Sequence, residues 1–201
     1  MTISRESSSR RSAICDAALE LAARGGNHAV THQGIDTHLG LPKGSTSYYF
    51  RTRHALVSAA ITHLTERSRA DFAALRSGIP EDGPPDPARP IATYLERLLT
   101  RRRNDVLARY ALATDAQSAP ELAAALSTCM FSVSAATDLM RDLGAHEPEA
   151  AARDLVTLLE GVVFDYTHGT RAHTSSGPRA SRSEDIRSIV GRWIDTLRAT
   201  R

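Results

Sequence analysis

Residues 31–53 read THQGIDTHLGLPKGSTSYYFRTR, and their order decides how the rest of the chain is read. Thr31 is of a type that caps helices, because its hydroxyl oxygen accepts from a backbone N–H that the first turn leaves unpaired. Ile35 and Leu39 follow at the four-residue spacing of a helix face that packs on a core. Gly40 closes that helix, since glycine takes the left-handed conformation at helix ends without a steric penalty. A second short helix follows Pro42 and includes Tyr48 and Phe50, and the basic residues Arg51 and Arg53 come next. A braced helix, a tight turn, and a helix that hides Phe50 while offering Lys43, Ser45, Thr46, Ser47 and Tyr48 as hydrogen-bonding groups make the grammar of a helix-turn-helix. The second helix of such a unit enters the major groove of DNA.

Outward from this stretch the spacing stays helical. Ile14, Ala17, Ala18, Leu21 and Ala22 stripe an earlier helix that ends at Gly25-Gly26. Thr52 is placed to cap a long helix striped by Leu56, Val57, Ala60, Ile61, Leu64, Phe72 and Leu75. SGIPEDGPPDPARP, residues 77–90, is too rich in Pro, Gly and Asp to continue it and reads as a loop. Further helices are expected over 91–103, 105–115, 121–143 and 149–168. A polar mobile loop, GTRAHTSSGPRASRS, follows at 169–183, then a last helix with Ile186, Ile189, Val190, Trp193, Ile194 and Leu197 on one face. No stretch alternates as a strand would and no repeat is visible, so the expected fold is all-α.

The 201 residues carry 25 Lys+Arg against 23 Asp+Glu, a net charge of +2. So balanced a chain cannot hold nucleic acid by overall basicity, and DNA binding must come from a local patch. Cys15 and Cys129 lie far apart and read as small buried thiols in a reducing compartment. The first residues, MTISRESSSRR, lack the apolar region of a secretory signal, and no apolar run reaches membrane-spanning length. A soluble cytoplasmic protein with no membrane partner is expected. No phosphate-cradling loop, nucleophile elbow or two-histidine metal helix is present, so no enzyme and no cofactor are expected. Cys129 with Asp138 or His146 lacks metal-ligand spacing, and no metal site is expected.

LGLPKGSTSYYFRTRHALVSAA, residues 39–60, resembles the signature of the TetR (tetracycline-repressor-like) family of transcriptional regulators. In that signature Gly, a Lys-like residue, Gly, small polar residues and a Tyr-Tyr/His-Phe cluster precede a basic start to the next helix. The resemblance is most specific over residues 14–64. It implies a three-helix DNA-binding domain over 1–53 and a helical ligand-sensing and dimerisation domain over 54–201. Thr31 would hold a phosphate at its helix N-terminus, with His32 reaching the same strand. Lys43, Gly44, Ser45, Thr46 and Ser47 would face the groove, Tyr48 would meet a base edge or a phosphate, and Tyr49 a phosphate. Arg51 and Arg53 would clamp the DNA backbone, giving affinity and salt sensitivity rather than sequence choice. Gly34 and Asp36 depart from the alanine or small apolar residues common there. Gly34 is expected to soften its helix by about 1 kcal/mol relative to Ala, and Asp36 to face away from phosphate. His54 stands where an acid is frequent and would add a weak phosphate contact. The tail with Arg5, Arg10 and Arg11 is read as either a minor-groove arm or a disordered segment.

For the body, the resemblance implies a homodimer whose two subunits read the halves of a pseudo-palindromic operator, ordinarily as a repressor released by a small-molecule inducer. The expected interface residues are Leu155, Leu159, Val163, Ile189, Trp193 and Leu197, with core packing inside one chain the other reading of Trp193. Candidate lining for an effector cavity mixes aromatic, sulfur and polar atoms: Phe72, Tyr94, Tyr110, Thr114, Met130, Phe131, Ser134, Glu160 and Phe164. Arg109, Tyr110 and Asp115 lie in ARYALATDAQSAPEL, which resembles a mainly structural stretch of many actinobacterial members.

Overall fold

The glycines and caps read above set the ends of the first helices. In the computed structural model, which describes residues 2–77, 86–117, 119–174 and 179–199, α1 runs Thr2–Gly25. Gly26, at φ 74°, turns the chain into a single 3-10 turn, Asn27–Ala29. α2, His32–His38, starts on Thr31, whose Oγ1 accepts from the Gly34 amide at 2.9 Å. It ends in a paired C-cap. Gly40 sits at φ 62°, the Leu41 amide donates to the Asp36 carbonyl at 2.8 Å, and the Gly40 amide donates to the Thr37 carbonyl at 3.2 Å. α3, Ser45–Tyr49, is five residues long. α4, Arg53–Ser77, starts on Thr52, whose Oγ1 accepts from the Ala55 amide at 3.1 Å.

The remaining helices are α5 (Ala88–Leu99), α6 (Arg103–Ala116), α7 (Pro120–Thr128), α8 (Val133–Asp142), α9 (Pro148–Thr167), α10 (Thr170–Thr174) and α11 (Arg179–Ala199). Three expectations are corrected. The single helix expected over 121–143 is two. α7 ends at Thr128, the buried Cys129, Met130 and Phe131 follow it outside either helix, and Ser132 starts α8 with its Oγ accepting from the Ala135 amide at 3.2 Å. As one stretch, Pro120–Asp142 has the length and hydropathy of a membrane span. The break leaves helices of 9 and 10 residues, where about 20 are needed. Second, the N-terminal tail is neither coil nor arm but part of α1 from Thr2 onward. Third, within the loop expected at 169–183, Thr170–Thr174 is helical and α11 already begins at Arg179. Residues 78–85 of the other expected loop lie outside the described residues.

The chain forms two compact units. The first joins residues 1–68 to 103–130, the second joins 69–102 to 131–201. In the first unit α6 lies along α1 and α7 follows α6. Ile14, Leu19, Ile35, Leu56, Ile61, Leu64 and Leu112 fill its core. In the second unit α11 packs on α5 and α9, and α8 on α9. Its core includes Leu95, Leu98, Met140, Leu155, Ile186 and Val190. Arg182 ties α11 to α5 by a forked pair with the buried Glu96 carboxylate, at 2.9 and 2.7 Å.

Candidate nucleic-acid interface

α3 is too short to be stable alone, and the residue at its N-cap offers no side-chain cap: Gly44, at φ 92°, has no side chain. The cap comes from α2. Asp36 is buried, and its carboxylate accepts from the Gly44 amide at 2.7 Å, the Thr46 amide at 2.8 Å and Thr46 Oγ1 at 2.6 Å. Burial alone would raise the Asp36 carboxyl. The hydrogen bonds from the Thr46 side chain and backbone and the Gly44 backbone outweigh it and hold the group below the usual carboxylate range. The far end of α3 is held by its neighbours. His32 Nε2 donates to the Phe50 carbonyl at 2.7 Å, and Arg11 donates to the Tyr49 carbonyl at 3.0 Å while its guanidinium lies 4.4 Å over the Phe50 ring.

With Thr46 fully buried and Phe50 in the core, helical spacing assigns the opposite face of α3 and its N-cap to Gly44, Ser47 and Tyr48. All three are exposed, Tyr48 at 79%, and so is Arg51 after the extended Phe50. Lys43 and Thr31 are exposed as well, and Ser45 and Tyr49 are half-buried. Ser45 Oγ donates to the Pro42 carbonyl at 2.6 Å, and the Tyr49 ring meets Tyr48 edge-on at 5.2 Å between centroids. Thr31 Oγ1 serves the helix as an acceptor, which leaves its O–H to donate to an anion.

Four residues expected at DNA have partners within the chain. Thr46 cannot face a groove, because it is buried against Asp36. The His32 Nε2–H is taken by a carbonyl that can only accept. Arg53 binds Asp115 and two backbone carbonyls of the segment before α2. His54 pairs with Glu121 at 3.2 Å. Gly34 marks a close approach rather than softness: a Cβ there would stand 2.9 Å from Thr31 Oγ1 and 3.1 Å from the Ala29 carbonyl. Sequence reasoning missed Asp36 as a cap and Arg11 as a brace. The signal for the first was present, a carboxylate at a core-facing position before a helix that opens on glycine.

The nine residues expected around an effector cavity are divided between the two units. Tyr110, Thr114 and Met130 belong to the first unit, the other six to the second. Thr114, Ser134 and Phe164 are exposed. In the second unit Phe72, Tyr94 and Phe131 do come together, in edge-to-face contacts at 5.3 and 6.2 Å. None of the nine lines the open groove of about 510 Å³ between α1 and α4, whose walls include Arg11, Cys15, Phe50, His54, His63 and Glu66. Burial, then the neighbouring Asp16, push the Cys15 thiol up to about 11 against the opposing charge of Arg11, so it is inert at neutral pH. The interface expectation needs a similar correction. Leu155, Leu159, Val163 and Leu197 are buried within the chain, so they pack its own core. Ile189 is half-buried, and Trp193 and Phe164 are the large apolar side chains left exposed on α11 and α9, at 43% and 52%.

The family model described as "Tetracyclin repressor-like, C-terminal domain" matches residues 82–196, more than half of the chain. No curated protein matches. Among solved structures, a member of the TetR family from Streptomyces coelicolor A3 is 25% identical, with a TM-score of 0.67 over 92% of this chain and 97% of that one. The multidrug-binding protein EbrR, solved with imidazole, is also 25% identical, with a TM-score of 0.61 over 92% of this chain and 94% of that one. A transcriptional regulator from Rhodococcus sp. Rha1, at 18% identity, shares the fold with a TM-score of 0.74 over 95% of this chain and 99% of that one. The chain belongs to the TetR family of DNA-binding transcriptional regulators, with an N-terminal helix-turn-helix followed by a helical C-terminal domain.

Proposed function

We propose that this regulator is a cytoplasmic, ligand-released repressor that binds a pseudo-palindromic operator as a homodimer. The observation that carries the reading is the division of α3 into two faces. Thr46 and Phe50 are buried, and Gly44, Ser47 and Tyr48 are exposed, as are Arg51, Lys43 and the phosphate-ready Thr31. One five-residue helix reads few base pairs, so two copies related by a two-fold axis are needed for an operator-length site. The exposed Trp193 and Phe164 on α11 and α9 supply the apolar anchors of a dimer face. EbrR, solved with imidazole and with proflavin, supports a flat aromatic effector, and the Phe72–Tyr94–Phe131 cluster offers rings to receive one. Release requires that the effector bind the two body shapes unequally.

The test is a fluorescence-anisotropy titration against the gene's own upstream DNA at two salt concentrations, beside a scrambled competitor. The expected result is tight, competitor-resistant binding that falls steeply with salt. Tyr48→Ala weakens it, and Arg51→Ala lowers the salt slope by about 0.9, the share of one phosphate contact. Binding of this duplex and of library-selected duplexes no better than scrambled DNA would overturn the reading.

A further inference from the structure

Arg53 opens α4, directly after the recognition helix, where a cation would ordinarily be read as a phosphate clamp. Its guanidinium is already engaged on three sides. Nη1 and Nη2 fork onto the two Asp115 carboxylate oxygens at 2.7 and 3.1 Å, Nη2 also donates to the Asn27 carbonyl at 2.7 Å, and Nε donates to the Val30 carbonyl at 3.2 Å. Of the five N–H donors a guanidinium has, one on Nη1 is left. Both carbonyls lie in the short segment that delivers Thr31, the residue that starts α2. Asp115 lies near the end of α6, and its side chain is 16% exposed. A phosphate approaching Arg53 meets a guanidinium already neutralised by a carboxylate, whose own charge repels it.

We propose that Arg53 and Asp115 form a staple that fixes the start of α2 against α4 and α6, so that Arg53 is a positioning residue for DNA reading rather than a contact with DNA. The inference rests on the DNA-binding reading above. Its sign is opposite to that of a clamp. If Arg53 held a phosphate, removing the Asp115 charge would free it and tighten binding. If Arg53 is a staple, the same change loosens the delivery of Thr31 and weakens binding.

The experiment uses the full chain and the duplex that the wild type selects from a random-sequence library, with affinity and salt slope measured for Asp115→Asn, Arg53→Gln and Arg53→Lys. The staple gives a loss of roughly tenfold or more in Asp115→Asn, an unchanged salt slope in all three, and no further loss when Asp115→Asn and Arg53→Gln are combined. Arg53→Lys keeps the charge and loses the fork, so it weakens binding too. Tighter binding by Asp115→Asn, a slope reduced by about 0.9 in Arg53→Gln, or wild-type affinity in Arg53→Lys overturns the staple. So does a lower melting temperature with unchanged affinity of the folded protein. Amide exchange without DNA separates the failure of the staple from that of the DNA reading. Faster exchange over residues 31–35 in Asp115→Asn upholds the staple even if no duplex is selected, and wild-type protection there overturns it.

Discussion

Asp36 carries the sharpest consequence at the scale of single residues. A lone carboxylate in a core is costly, yet this one is matched by three donors and gives α3 the N-terminal cap that Gly44 cannot. Asp36→Asn brings an amide N–H toward donors it cannot accept from, and is expected to cost about 1–3 kcal/mol of stability in urea denaturation. The pH dependence has a definite sign. Because the native group ionises below its ordinary value of 3.8, its contribution is complete above that value and is lost as pH falls through the lower native one. The stability gap between wild type and Asp36→Asn should therefore close in acid, and a gap that widens there would contradict the cap. Gly34 gives a second prediction. Alanine is worth about 1 kcal/mol over glycine in an open helix, but here its Cβ would displace the Thr31 hydroxyl from the Gly34 amide and crowd the Ala29 carbonyl. Gly34→Ala is expected to lower the melting temperature, and a stabilised variant would show that the helix has room.

For whole elements, legibility followed locality. The C-terminal end of α1, both ends of α2 and the start of α4 could be read because caps and glycines act within a few residues of themselves. Thr31, Gly40 and Thr52 do in the structure what their positions implied. The split between α7 and α8 could not be read from hydropathy, because the apolar run continues across it: Pro120–Asp142 has the length and hydropathy of one long helix. The roles of Thr46 and Arg53 were hidden for a related reason: their partners, Asp36 and Asp115, lie 10 and 62 residues away. The exposed polar residues around α3 were legible as exposed, whereas those turned inward by a distant partner were not. The Arg182–Glu96 fork between α11 and α5 belongs here too. Glu96→Gln leaves a largely covered guanidinium without its counter-charge, an effect of about 2 kcal/mol once its partial exposure is allowed for. A fall of several degrees in the melting temperature is expected, and an unchanged melt would mean that water already serves Arg182.

On the scale of the whole molecule, the distinction between core and contact surface sorts the apolar residues of α9 and α11. For the proposed homodimer, Trp193→Glu is expected to shift the protein toward monomer in sedimentation velocity while leaving its helical signal intact. Leu159→Ala should cost about 2–5 kcal/mol at any protein concentration, because Leu159 is buried in its own chain. A fully dimeric Trp193→Glu variant would place the dimer face elsewhere. The interleaving of the two units has a further consequence, in the order of synthesis. The first unit takes residues 1–68 and then waits for 103–130. The helix-turn-helix thus leaves the ribosome well before α6, which carries the Asp115 that Arg53 holds. At about 5–20 residues per second the delay is several seconds, during which chaperones meet the helix-turn-helix without the Asp115 pairing of Arg53. Nascent chains arrested with only residues 1–68 exposed should be cut readily by a protease. Those arrested with residue 130 exposed should resist it.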